Sequence, residues 1–235
     1  MKDRIVEKII RINDQPIDEL FRQPGKIYTF LNPVSYLDAI RNKALFSEFD
    51  GIFSDGGLLV KAIRLGYGKK VERRSFDMTS LASVFFQYAQ QNKKRVYIIA
   101  SKEHEVQKAI GVFQENYPEL NIVGYRNGYF SSADEKQQAI DTIIRLKPDY
   151  VIVGMGAIAQ EKFLIQLRDS GFPGVGFTCG GFIHQVANNE ITYYPQWINT
   201  MNLRFVYRFY KEKHTRKRYF QAAFLFPVKF LMEKF

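Results

Sequence analysis

Short β-rich runs alternate along this chain with longer stretches whose apolar residues return at helical spacing. Lys26–Phe30, Gly51–Ser54, Arg95–Ala100, Asn121–Gly124, Tyr150–Gly154 and Gly174–Thr178 read as strands. Several are apolar on successive residues, as strands covered on both faces are, whereas a sheet with one wet face would alternate. The stretches between them read as helices. Asn32-Pro33 suits a helix start, as does Ser101 with Glu105 shortly after; another helix begins near Met78, and Gln160–Ser170 ends at Gly171. This alternation predicts an α/β protein with a Rossmann-like, mainly parallel sheet flanked by helices.

After Thr178 the pattern changes. Aromatic residues mix with Lys and Arg, no further clear strand appears, and Phe220–Phe235 places Phe, Leu, Val and Met between basic positions. The expected organisation is an α/β domain over residues 1–194 and a basic, aromatic, helical C-terminal appendage over 195–235, with the boundary near Tyr194-Pro195. Pro227 is expected to break the last helix.

Composition adds bounds. With 235 residues, 46% hydrophobic and 25% charged, the chain can bury a sizeable core. Its charged start, Met1-Lys2-Asp3-Arg4, leads into no uninterrupted apolar run, so neither a signal peptide nor a spanning helix is expected and the protein is placed on the cytoplasmic side. Cys179 is the single cysteine, and His104, His184 and His214 lie too far apart for a familiar zinc spacing, so no metal site is expected. The net charge of +10 is concentrated: from Arg204 to Phe235 nine Lys and Arg face only Glu212 and Glu233, which leaves the rest nearly balanced. Such a cluster attracts nucleic acid, anionic lipid or phosphate-bearing substrates alike.

Five constellations carry candidate chemistry. Ser54-Asp55-Gly56-Gly57 follows a strand and opens a helix; Asp55 is placed to accept a proton from an attacking hydroxyl, or simply to cap that helix. Arg73, Arg74 and Asp77 belong to a charged loop able to clamp phosphate oxygens, or to pair internally as a solvated loop. Gly154-Met155-Gly156 with Gln160-Glu161 is a strand-to-helix turn that presents backbone N–H groups to a phosphate or ribose, although it lacks the third glycine of the dinucleotide fingerprint. Cys179-Gly180-Gly181 with His184 and Gln185 forms the fourth, where a thiol nucleophile lacks an orienting third group and His184 suits a sugar or phosphate contact. Arg204 and Arg208 share one helical face ahead of Arg216 and Arg218; a solvated basic stripe on an amphipathic helix is the plain alternative.

In their order along the chain these segments resemble the WecG/TagA/CpsF glycosyltransferases, over roughly Thr29 to Tyr219. The motifs are Phe30-Leu31-Asn32-Pro33, Asp55-Gly56, Arg73 to Asp77, Asn127-Gly128-Tyr129-Phe130, Pro148-Asp149 with Gly154-Met155-Gly156 and Gln160-Glu161, Gly180-Gly181-Phe182, and Leu203-Arg204 with Tyr207-Arg208. The resemblance implies a Rossmann-like enzyme that moves a sugar from a UDP-sugar to a polyprenyl-diphosphate-linked saccharide, inverting at the anomeric carbon, with no metal and no other cofactor. It implies Asp55 as general base. It makes Asn32, Gly154, Gly156, Gln160, Glu161, Gly180, Gly181, His184 and Gln185 donor contacts, and Arg73, Arg74, Asp77, Arg204, Arg208, Arg216 and Arg218 acceptor or phosphate contacts. It also implies peripheral association with an anionic membrane surface on the cytoplasmic face, through the C-terminal segment, and is compatible with a homo-oligomer.

The chain departs from the family's usual pattern. Phe30 stands where the family often has threonine, with Thr29 the nearest hydroxyl, and Gly180-Gly181-Phe182-Ile183-His184 replaces Gly-Gly-Ala-Phe-Asp. These features resemble a subgroup from capsule and exopolysaccharide pathways. The rival from another class is a nucleic-acid-binding α/β protein that uses the basic aromatic tail, a reading that leaves the glycine-rich strand ends unexplained.

Overall fold

The computed structural model describes residues 4–189, 207, 210 and 216–234. Its strands are β1 (Ile27–Leu31), β2 (Gly51–Ser54), β3 (Arg95–Ala100), β4 (Asn121–Arg126), β5 (Tyr150–Gly154) and β6 (Val175–Thr178). They form one all-parallel sheet in the order β2-β1-β6-β5-β3-β4, the Rossmann-like arrangement that the alternation predicts. Three strands have the expected bounds, while β1 and β6 start one residue late and β4 runs on to Arg126. Pairing sets these ends: Ile27 stands opposite Gly176, and Arg126 opposite Ile99. Every residue of the central β5 is buried, whereas edge strand β4 stays partly exposed along its length.

The chain divides into two compact units, residues 1–14, 30–75 and 194–235 in one, and 15–29 and 76–193 in the other. The boundary expected near Tyr194-Pro195 lies outside the described residues.

In the first unit, α1 (Ile5–Asn13) buries Ile5, Val6, Ile9 and Ile12, an apolar stripe at helical spacing. The Lys8 ammonium, also buried, donates to the carbonyls of Ser47 and Phe49 at 2.6 Å each. Helices α3 (Pro33–Arg41), α4 (Lys43–Ser47) and α5 (Gly57–Tyr67) follow β1 and β2. The last helix, α11 (Arg216–Lys234), packs on α3. It buries Ala222, Phe226 and Phe230, four residues apart. The rings of Phe226 and Phe230 lie 5.5 and 5.6 Å from that of Tyr36, and Phe230 lies 5.8 Å from Tyr67. Gly66 permits that approach, because a Cβ there would stand 2.9 Å from the Phe230 ring. Burying each Phe stabilises this docking by about 1.5–3 kcal/mol. Pro227 lies inside α11 and does not break it. The proline sits on the exposed side, while Phe226 and Phe230 hold the turns on either side of it.

The second unit contains α2 (Ile17–Leu20), α6 (Leu81–Gln91), α7 (Glu103–Asn116), α8 (Ala133–Leu146), α9 (Ala159–Asp169) and α10 (Phe182–Asn189). Its core is aromatic: Phe85 meets Phe21, Phe76, Phe86, Tyr150 and Phe177 with centroids 5.0 to 5.8 Å apart. The helix expected from Met78 begins at Leu81 instead. Asp77 first closes a turn, its carboxylate accepting from the Thr79 amide at 2.9 Å and the Thr79 hydroxyl at 2.6 Å. The helix expected from Ser101 is capped at Lys102, because Ser101 takes a left-handed φ of 53°.

Candidate active site

From β3 the chain passes through α7 to β4, and from β5 through α9 to β6, in opposite directions across the sheet. Strand order therefore reverses between β3 and β5, and the carboxyl ends of these two strands are where open parallel sheets bind ligands. Ala100 and Gly154 stand opposite each other at those ends. The loops beyond are stitched together: the Ser101 amide donates to the Gly154 carbonyl at 3.0 Å, and the Gly128 amide to the Ser101 carbonyl at 2.9 Å. Gly154 is required by space. A Cβ on it would meet Cys179 Sγ at 2.7 Å, the Gly180 carbonyl oxygen at 2.9 Å and Ala100 Cβ at 3.0 Å.

Left-handed backbone gathers in these loops, with Ser101 at φ 53°, Gly156 at 81°, Ile158 at 72° and Gly180 at 55°. For the β-branched Ile158 that conformation costs roughly 1–2 kcal/mol, so the surroundings must hold it. Glu161 does so. Its buried carboxylate accepts from the Ile158 amide at 2.6 Å, from the Gln160 amide group at 2.8 Å and from the Thr29 hydroxyl at 3.0 Å. Thr178 donates in turn to Thr29 at 2.9 Å, and the Gln160 carbonyl oxygen accepts the Gly180 amide at 3.1 Å. Burial pushes the Glu161 carboxyl up, against the lowering by the hydrogen bonds from Gln160, Thr29 and Ile158.

Gln160 and Glu161, expected as donor contacts, are thus buried braces that shape the turns after β5 and β6. Thr29 is fully buried in the same network, and Gln185 is buried beside Gly181. Gly156, Gly180 and Gly181 remain partly or fully exposed.

His184 lies in the first turn of α10, half exposed, with Nδ1 2.7 Å from Glu105 Oε1. Glu105 Oε2 accepts the Lys102 amide at 3.1 Å. Burial raises the Glu105 carboxyl, but the Lys102 amide and the His184 ring outweigh it and hold it below its usual range. Cys179 is buried and burial pushes its thiol up, which leaves it a packing residue and removes the thiol-nucleophile reading.

In the first unit Asp55 follows β2, partly exposed, with its amide donating to the Leu31 carbonyl at 2.8 Å. The N-cap position of α5 is Gly56, at φ 113°, one residue beyond Asp55. Gly56 lies on the Asn32-Pro33 turn, 3.9 Å from both residues at its Cβ position, so the Asp-Gly and Asn-Pro motifs are neighbours. Asn32 itself caps α3, accepting the Val34 and Ser35 amides at 2.9 and 3.1 Å.

The arginines divide. Arg74 is buried and donates to the Asn13 carbonyl at 3.0 Å, closing the C-terminus of α1, so its guanidinium serves the fold. Arg73 donates to Ser75 Oγ at 2.7 Å, Arg216 to the Tyr210 carbonyl at 3.1 Å, and Arg218 pairs with Asp38 at 2.8 Å. Arg204 and Arg208 lie outside the described residues. Ile158 carries no signal in the local sequence, Ser101 and Glu105 read there only as a helix start, and Thr178 only as a strand end.

Comparison with known proteins agrees with this arrangement. The family described as "Glycosyl transferase WecG/TagA/CpsF family" matches residues 10–235. A curated relative from Shigella boydii, UDP-Gal:alpha-D-GlcNAc-diphosphoundecaprenol beta-1,4-galactosyltransferase, is 38% identical over 99% of this chain and 96% of its own length. A second, the N-acetylglucosaminyldiphosphoundecaprenol N-acetyl-beta-D-mannosaminyltransferase of Bacillus subtilis (strain 168), is 27% identical over 78% of this chain and 71% of its own. A match along nearly the whole chain, on a fold with its loops gathered beyond β3, β5 and β6, leaves one conclusion: the protein belongs to the WecG/TagA/CpsF family and is a glycosyltransferase.

Proposed function

We propose that this enzyme transfers a hexose from a UDP-sugar to N-acetylglucosamine linked through diphosphate to a polyprenol, with inversion and without a metal, in the assembly of a cell-surface polysaccharide. The observation that carries the reading is the set of exposed glycine turns, Gly156 and Gly180-Gly181, at the carboxyl ends of β5 and β6. Their close backbone approach suits a diphosphate. The names of both relatives contain the same diphosphoundecaprenol-linked N-acetylglucosamine, which favours that acceptor.

Asp55 is the general base. It takes the acceptor hydroxyl's proton as that oxygen bonds to the anomeric carbon, while the bond from that carbon to the UDP oxygen breaks and its electron pair leaves with UDP. Single displacement needs one carboxylate and inverts the carbon, whereas a retaining hydrolase uses a close pair.

The reaction belongs at the cytoplasmic face of a membrane. Among the described residues no helix is long and apolar enough to cross one. Instead α11 exposes Phe220, Phe224, Leu225, Val228, Leu231 and Met232 beside Arg216, Lys217 and Lys229. That face suits insertion among anionic headgroups. Phe226 and Phe230 are not part of that face, because they are buried against Tyr36 and dock α11 on α3.

The test is transfer from UDP-galactose to a short-chain polyprenyl-diphosphate N-acetylglucosamine in excess chelator, read by product mass and anomeric configuration. A β-linked disaccharide product from the α-linked donor supports the reading. Retained configuration, or dependence on added divalent metal, would sink the mechanism. Asp55→Asn should lower turnover about 10²–10⁴-fold with UDP affinity unchanged.

A further inference from the structure

We propose that Glu105 and His184 form a dyad that receives the departing diphosphate of the donor: His184 makes the contact, and Glu105 is its positioning residue. The proposal rests on the nucleotide-sugar reading above and adds a residue, Glu105, that the family motifs do not include.

Helices α7 and α10 pack together and bring the two side chains into contact. The Glu105 side chain is only 11% exposed and is held at both oxygens, Oε2 by the Lys102 amide at 3.1 Å and Oε1 by His184 Nδ1 at 2.7 Å. A fixed carboxylate on Nδ1 settles which ring nitrogen carries hydrogen there and orients the ring. The imidazole keeps 49% of its side-chain surface in solvent. The Asn188 side-chain amide donates to the His184 backbone carbonyl at 2.8 Å, one helical turn on.

The location gives the dyad a target. His184 is four residues beyond Gly180, whose amide is tied to Gln160 in the turn after β5, and Glu105 is four beyond Ser101, whose amide is tied to Gly154. Both members therefore stand on the loops that flank the reversal of strand order. A buried acid with an exposed imidazole in this place is built to present a cation without a metal.

In the transfer step the acceptor oxygen bonds to the anomeric carbon, the bond from that carbon to the β-phosphate oxygen breaks, and the electron pair stays on that oxygen. The proposed contact is a hydrogen bond from Nε2 to that oxygen, and Glu105 on Nδ1 balances the charge this places on the ring. No proton need leave the dyad.

Calorimetry on the full chain with UDP and with UMP tests this, because only UDP carries the β-phosphate. His184→Gln is expected to weaken UDP about tenfold or more, the scale of a hydrogen bond to a charged group, and UMP less than twofold. Glu105→Gln keeps a hydrogen-bonding partner for Nδ1 but removes the charge, and is expected to fall between wild type and His184→Gln. The double variant should bind UDP no more weakly than His184→Gln alone, as expected of a residue that acts through another. Turnover should drop in the same rank order, with the acceptor KM unchanged. Equal weakening of UDP and UMP, additive losses in the double variant, or undiminished UDP affinity in His184→Gln would each overturn the dyad. Absence of UDP binding by the wild-type protein would overturn the nucleotide-sugar reading and the dyad with it; wild-type binding with unaffected variants overturns the dyad alone.

Discussion

The Gln160 side-chain carbonyl accepts the Gly180 amide at 3.1 Å, and its amide group donates to Glu161 at 2.8 Å. One buried side chain thus couples the loop after β5 to the loop after β6, and its orientation is dictated by having an N–H on one side and a carboxylate on the other.

Gln160→Glu preserves size but sets a second carboxylate against Glu161. It is expected to destabilise the protein by about 1–3 kcal/mol at neutral pH, the scale for a buried group left without its partner. The loss should shrink at mildly acidic pH, where one proton can be shared. Thermal unfolding at both pH values checks it; equal melting temperatures for wild type and variant at neutral pH would show that the coupling contributes nothing.

Gly154→Ala and Gly156→Ala separate two kinds of strain. At Gly154 the new methyl meets Cys179, Gly180 and Ala100 within 3.0 Å, an overpacking cost of about 1–3 kcal/mol. At Gly156 nothing lies within 4 Å of the added atom, and only the φ of 81° resists it, at roughly 1–2 kcal/mol. Pairing each with Cys179→Ala in chemical denaturation distinguishes them: the second substitution should relieve part of the Gly154→Ala loss and none of the other.

Glu105 should give the protein an acid-sensitive component. Its folded-state pKa lies below the ordinary 4.5, so the unfolded chain binds that proton more readily. The stabilisation is fully present above about pH 4.5 and is lost as pH falls through the lower folded value. The stability gap between wild type and Glu105→Gln, measured by urea denaturation, should therefore narrow from pH 6 toward pH 3. A gap that stayed constant would mean that the carboxylate's charge is not what Lys102 and His184 recognise.

On α11, inner and outer faces should respond differently. Phe226→Ala empties a packed position against Tyr36 and is expected to cost about 3–5 kcal/mol. Phe224→Ser, at a position 65% exposed, should leave the melting temperature within a degree or two yet weaken flotation with anionic vesicles. Truncation after Gln221 removes Phe226 and Phe230 together, so it should destabilise the first unit as well as weaken membrane binding. Unchanged flotation of Phe224→Ser would remove the outer face from any membrane role.

The sequence by itself determined the layered α/β architecture. Short continuous apolar runs rich in β-branched residues, such as Tyr150–Gly154, read as strands buried on both faces, and their alternation with helical stretches points to a parallel sheet. It also located the turns that matter, because Gly154, Gly156 and Gly180 mark backbone that other residues cannot follow at low cost. These are local properties, written within a few residues of where they act.

What each polar side chain does was decided only in the tertiary structure. Asp55 and Gln160 look alike in sequence, each polar and close to a strand end. The structure leaves Asp55 ahead of a helix capped by Gly56 and buries Gln160 between Gly180 and Glu161. Pro227 reads as a helix breaker, yet Phe226 and Phe230, docked on α3, carry the helix through it. Glu105 and His184, 79 residues apart, meet because α7 and α10 pack together. The physical reason is common to all three: a hydrogen bond or a packed ring depends on partners that the chain brings close only when the strands have paired, and no local pattern encodes that distance.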